Sequence, residues 1–194
     1  MDGVSPMAAR AKHPSCSIGE FEALVAAPVN ANRLLELIDG EIAEKMTTEE
    51  HGLCAGNLYG HLWTYFRAHA IGRVMQEVHF RAADDLPTVL LPDGAERLRA
   101  APPVRSGSVP EMPDLAVEVK SAANTLKALR NKAEFYLAHG TQIVWIVIPA
   151  KRLVEVYGPE MVEILTSADV LEAPLLLPGF QMLVSAIFEG LPEP

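Results

Sequence analysis

The run Leu115-Ala116-Val117-Glu118-Val119-Lys120 sets an acid and a base inside an apolar stretch, entered through Pro113-Asp114. A short apolar run behind a turn signal reads as a buried strand. Successive strand side chains point to opposite faces, so Glu118 and Lys120 are predicted to share one. Burying both charges among Val and Ala is costly unless they pair, bind a metal or touch a ligand. A second apolar run, Gln142–Ile148, follows after one helix length. Strand, helix and strand in that order predict a parallel crossover, which commits the chain to a sheet covered by helices.

The rest of the chain is compatible with that architecture. Ser17-Ile18-Gly19-Glu20 resembles a capping box opening a short helix through Leu24. Leu34–Ile38 and Glu41–Lys45 flank Asp39-Gly40, a pair that tolerates positive φ and predicts a hairpin. Leu58, Leu62, Tyr65 and Phe66 recur at helical spacing within a predicted helix from Glu49 to Ala70. Arg73–Arg81 and Thr88–Leu91 read as strands about a polar turn at Ala83–Asp85, and Ala95–Met112 reads as a loop. Ser121 or Asn124 is predicted to cap a helix ending near His139, where Gly140 terminates it. Leu153–Tyr157 and Met161–Leu165 form a further predicted hairpin, and Leu175–Val184 closes the chain. The fold class expected is α/β (α+β): a mixed central β-sheet flanked by helices, with an N-terminal hairpin. Residues 1–16 are expected to be a flexible terminus and 17–194 a single domain.

With 49% apolar and 21% charged residues, the composition is that of an ordinary globular protein. The two cysteines, Cys16 and Cys54, form no framework, and a reducing, cytoplasmic setting is expected. No segment has the apolar core of a signal peptide or the length to span a bilayer, so no membrane partner is expected. A net charge of −9 argues against non-specific coating of nucleic acid. It leaves room for a local basic site, and Lys120, Lys127, Arg130 and Lys132 follow one another without an intervening acid.

Spacing limits which acids can act with Glu118. Asp114 lies roughly 13 Å away along a straight strand. Two ligands of one Mg²⁺ each reach it at about 2.0–2.1 Å, so that separation is too great. A neighbouring strand, about 4.8 Å away, is the better source of the second acid. Asp93, in Pro92-Asp93 after the Thr88–Leu91 run, is the candidate, while Asp114 remains its rival as a strand-entry residue or first acid.

Pro92-Asp93 followed 25 positions later by Glu118-Val119-Lys120 resembles the PD-(D/E)xK nuclease superfamily. More narrowly, the chain resembles the Uma-type family of bacterial proteins classed with the restriction endonucleases. The resemblance runs through Leu35-Glu36-Leu37-Ile38-Asp39-Gly40-Glu41, His51, Thr88-Val89-Leu90-Leu91-Pro92-Asp93 and Pro113–Val119. It continues through Lys132 with Tyr136 and Gly140, Val144-Trp145, and Leu177-Pro178-Gly179-Phe180. The chain departs from it at Ser121-Ala122-Ala123-Asn124, where the family often has Ser-Pro-Ser-Asp, and at Ile148, where it often has Asp.

The resemblance implies a restriction-endonuclease-like core and a Mg²⁺- or Mn²⁺-dependent endonuclease acting on DNA. It implies a catalytic set of Asp93, Glu118, Lys120 and Lys132, with the ion held by Asp93 and Glu118. Glu41 is a possible third metal acid, with an exposed hairpin charge as its alternative. Lys120 would position the attacking water and Lys132 would add charge; the bland reading of Lys132 is an ammonium in solvent. His51 is either an orienting group or a satisfied helix-start histidine. Cutting both strands takes two sites, which makes a homodimer the expected assembly. The rival from another class is a non-catalytic binding or scaffold protein that keeps the nuclease fold; a hydrolase of smaller phosphate esters is a third.

Overall fold

The structure is a computed structural model and describes residues 15–83, 86–98 and 102–192. In chain order its elements are α1 (Ile18–Ala26), the hairpin of β1 (Leu35–Ile38) and β2 (Glu41–Glu44), α2 (Glu49–Ala68), β3 (Arg73–Met75), β4 (Phe80–Arg81), β5 (Val89–Leu90) and β6 (Gly94–Arg97). There follow β7 (Leu115–Val119), α3 (Leu126–Ala138), β8 (Ile143–Ile148), β9 (Leu153–Gly158), β10 (Met161–Thr166), β11 (Val170–Glu172), β12 (Gln181–Leu183) and α4 (Val184–Ile187).

Among the described residues the main sheet has the order β10-β9-β8-β7-β6-β3, and a smaller one the order β2-β1-β5-β4. Within the main sheet β7 and β8 are parallel, with Glu118 beside Ile146, and the other pairs are antiparallel. The mixed sheet and its α3 crossover are those expected. Alternation along β7 divides the core. Leu115, Val117 and Val119 pack with Cys54, Leu58 and Leu62 of α2. Ala116 faces the other way, toward Leu129, Ala133 and Tyr136 of α3. Glu118 follows Ala116 onto the α3 side.

Local chemistry accounts for most element ends. Ser17 and Glu20 form the reciprocal capping box that starts α1. Asp39 (φ 51°) and Gly40 (φ 81°) take the left-handed conformations of the tight turn. Thr48 caps α2 through the His51 amide. α3 is capped by Thr125, which accepts from Ala128 N, rather than by Ser121 or Asn124. Among the described residues no helix is long and apolar enough to cross a membrane.

Two expectations need correction. Arg73–Arg81 is not one strand: Glu77 has φ 51°, and the segment divides into β3, in the main sheet, and β4, in the small one. The start of the expected Ala95–Met112 loop is β6, an interior strand between β3 and β7. Its charged residues concealed it. Glu96 has 0% exposure, and neither of its oxygens has a hydrogen-bond partner among the described residues. The Ala83–Asp85 turn and the 1–16 terminus lie largely outside the described residues.

Candidate active site

β6 delivers Asp93. The β6–β7 register pairs Gly94 with Val117 and Ala95 with Ala116, and one further step sets Asp93 opposite Glu118. The acid therefore comes from a neighbouring strand, as spacing required, but from the start of β6 rather than the end of β5. Asp93 is tied to β7 twice: its amide donates to Val117 O at 3.0 Å, and its Oδ2 accepts from the Val119 amide at 2.7 Å. Gly94 permits this approach, since a Cβ there would lie 3.3 Å from Val117 Cβ.

Four further segments converge on the two acids. Lys45, just past β2, places Nζ 2.6 Å from Asp93 Oδ1 and 3.7 Å from Glu118 Oε2, and donates to Leu91 O. His51, in the first turn of α2, sets Nε2 3.0 Å from Asp93 Oδ2. Lys132 of α3 donates to Glu36 Oε1 at 2.7 Å and to both Glu118 oxygens at 3.3 and 3.4 Å. One turn later Tyr136 donates its hydroxyl to Glu118 Oε1 at 3.0 Å. Glu36 of β1 also accepts from the Leu91 amide. A cleft of about 280 Å³ opens here, lined by Glu36, Lys45, His51 and Lys132 together with Ser121 and Asn124 of the β7–α3 turn.

The cluster gathers three carboxylates and two ammonium groups, all buried or nearly so. Burial pushes the Glu118 carboxyl above its ordinary value; Lys132 and Lys45 oppose that shift, and Glu36 and Asp93 add to it. For Asp93, burial is outweighed by His51 and Lys45 together, and its carboxyl is held below the usual range. Burial also works against the charge on Lys45, yet Glu118, Asp93 and Glu36 together raise it above the ordinary lysine value. Burial and the charge of Glu118 push the Tyr136 hydroxyl well up, so it stays a donor.

Asp93 and Glu118 thus already converge on one cation, the Lys45 ammonium. Hard carboxylate oxygens in that relation suit Mg²⁺ or Mn²⁺. Among the described residues no three His, Cys, Asp or Glu side chains form a ready metal cage. An ion bridging the two acids would draw its remaining ligands from water or phosphate, which is how Mg²⁺ is commonly held.

The other expected site residues fall differently. Glu41 is exposed at the start of β2 and takes no part in the cluster. The third carboxylate of the cluster is Glu36, which β1 turns inward. For Lys120 the structure shows partners other than Glu118, on the turn that borders the same cleft. β7 ends at Val119, and the Lys120 ammonium donates to Ser121 O at 3.0 Å and Asn124 O at 3.2 Å, tying the turn into α3. Asp114 accepts from Leu98 N and Gln142 Nε2 at the other end of β7, as a strand-entry residue does. Lys132 points inward to the acids instead of keeping its ammonium in solvent.

Sequence reasoning gave no site role to Glu36, Lys45 or Tyr136, although the family resemblance runs through Glu36 and Tyr136. Glu36 carried a signal, an acid inside the apolar run Leu35–Ile38, and Tyr136 shares with Lys132 the i, i+4 face turned to the sheet. Lys45 carried none.

No curated protein matches the sequence. A crystal structure of a "putative nuclease belonging to DUF820 from Anabaena variabilis ATCC 29413" superposes with a TM-score of 0.74 at 18% identity, covering 89% of this chain and 97% of that one. That likeness establishes the fold. The cryoEM structure of a DrdV–DNA complex aligns over 72% of this chain and 14% of that one at 17% identity, with a TM-score of 0.33, too low to bear on the fold. Residues 18–185 match the Uma2 family, described as "Putative restriction endonuclease", and the chain belongs to that family.

Proposed function

We propose that this protein is a Mg²⁺- or Mn²⁺-dependent endonuclease that hydrolyses DNA phosphodiester bonds at the Asp93–Glu118 cluster. The observation that supports this most directly is the convergence of both carboxylates on the Lys45 ammonium, 2.6 and 3.7 Å away. Asp93 and Glu118 would hold the divalent ion. When bound, it supplies charge neutralisation at the phosphate and lowers the pKa of its water enough for attack at neutral pH.

The chain's own residues prepare that site. His51 and the Val119 amide hold the Asp93 carboxylate in place, while Tyr136 and Lys132 do the same for Glu118. Lys45 and Lys132 bring two ammonium groups to the cleft floor, placed to meet the charge that develops on a phosphate in the transition state. Lys132 takes the role the sequence pattern assigned to Lys120, because its ammonium reaches Glu118 and that of Lys120 is held by loop carbonyls. Free cysteines at positions 16 and 54 fit a reducing, cytoplasmic setting.

The test is plasmid nicking with Mg²⁺ or Mn²⁺ by wild type, Asp93→Asn and Glu118→Gln. Loss of nicking in both variants supports the reading, and equal nicking by all three proteins refutes it.

A second reading, a nuclease-fold protein that binds without cutting, is favoured by one observation. Lys45 already supplies a cation between the acids, leaving no need for a metal. That reading predicts no rise in melting temperature with millimolar Mn²⁺. Binding at one hundred times Kd would instead stabilise the fold by about 2.7 kcal/mol.

A further inference from the structure

We propose that a second copy of this chain docks on the outer face of α2, the two helices antiparallel about a two-fold axis that crosses that face midway between Gly56 and Gly60. His51, Cys54, Leu58, Leu62, Tyr65 and Phe66 form the inner, buried face of this helix. At 3.6 residues per turn the opposite face carries Glu49, Leu53, Gly56, Gly60, Trp63 and Arg67, all of them exposed. Trp63 is 48% and Leu53 36% exposed, two large apolar side chains on one outward stripe.

The identity of the occupant comes from the order of these residues along the helix. Laid antiparallel on itself about that axis, the face pairs Glu49 with Arg67 of the partner subunit and Leu53 with Trp63 of the partner subunit. Gly56 meets Gly60 of the partner subunit, and each pairing occurs twice because a two-fold interface is self-complementary. Opposite charges meet at both ends, apolar groups inside them, and the smallest residues at the crossing. Two copies of net charge −9 repel, so the charge match at the ends weighs in the choice of register.

The glycines agree with this arrangement. A glycine inside a helix costs stability relative to alanine. Nothing lies within 4 Å of a Cβ built at Gly52, Gly56 or Gly60, so packing within the chain does not demand them. A groove of about 570 Å³ runs along the flank of this face, lined on α2 by Gly56, Gly60, Asn57, His61 and Thr64 and across from it by Gly179 and Phe180, so the two glycines border open space. The interface is independent of the proposed chemistry, because His51 and the acids lie on the opposite side of α2.

Sedimentation equilibrium on the full chain tests the proposal. Wild type is expected to sediment at twice the 21.0 kDa protomer mass. Gly60→Leu should weaken association by at least about tenfold, because a side chain there holds the helices apart. At a concentration dilute enough for both proteins to be monomeric its melting temperature should not fall, since the position has open space and leucine favours helix over glycine. Glu49→Arg and Arg67→Glu should each weaken the dimer, and the double variant should restore it, a rescue that survives any folding defect in Gly60→Leu. The exposed edge strand β10 offers the competing surface, with Val162 and Ile164 outward. A wild type that stays monomeric to about 1 mM overturns the proposal. So does a dimer untouched by Gly60→Leu, or one broken by Ile164→Lys alone.

Discussion

Replacing Glu96 with glutamine should flatten the pH dependence of stability. The Glu96 side chain is fully buried in β6, between β3 and β7, and neither carboxyl oxygen has a partner among the described residues. Burial, with a smaller contribution from the charge of Asp114, raises its pKa from 4.5 to about 8. Between those values the unfolded chain releases a proton that the folded chain keeps. The native state then binds more protons than the unfolded one, so stability falls as pH rises, by about 1.4 kcal/mol per pH unit. Across the whole window this single group removes about 5 kcal/mol, and above pH 8 the loss is complete. The glutamine amide of the variant would also lack partners, but that cost does not vary with pH. Urea unfolding of both proteins at pH 5.5, 6.5 and 7.5 gives the comparison. The stability of wild type relative to Glu96→Gln should drop by about 2–3 kcal/mol from the lowest pH to the highest. A difference that stays constant across the series would mean that Glu96 is ionised in the folded protein, and would refute the argument.

Lys132→Met should destabilise the fold by about 3–5 kcal/mol, since it strips an ion pair from Glu118, which has no exposure. Urea unfolding checks this, and a loss below about 1 kcal/mol would show that Lys45 and Tyr136 satisfy Glu118 unaided. Lys120→Ala should cost about 1–3 kcal/mol through the Ser121 and Asn124 carbonyls yet leave plasmid nicking near the wild-type rate. Abolished nicking in a folded Lys120→Ala protein would return Lys120 to the catalytic set. Asp93→Asn should remove any Mn²⁺-induced rise in melting temperature seen for wild type, as read by calorimetry.

Much of the architecture was readable from local patterns. The Asp39-Gly40 turn, the Ser17–Glu20 capping box, the apolar stripe of α2 and the β7–α3–β8 crossover are each specified within a few residues, where turn chemistry and periodicity act. Glu118 was legible for the same reason, because an acid inside a strand of Val and Ala is anomalous on its own. β6 was hidden because its Gly, Glu and Arg read as loop; only its neighbours on both sides make it a strand.

The sequence by itself determined most of the secondary elements that flank the site, Glu118 with the strand that carries it, and, through spacing and the family pattern, Asp93 and Lys132 as its candidate partners. Tertiary structure decided how those partners are brought to that acid, and added Glu36, Lys45 and Tyr136 to them. Glu36, Lys45, His51, Asp93 and Lys132 come from five segments, and no local rule links residues so far apart in the chain. It also leads the Lys120 ammonium to loop carbonyls and leaves Glu41 exposed. A side chain's direction at a strand end depends on where the next turn places its carbonyls, and which hairpin acid turns inward depends on the sheet packed beneath it.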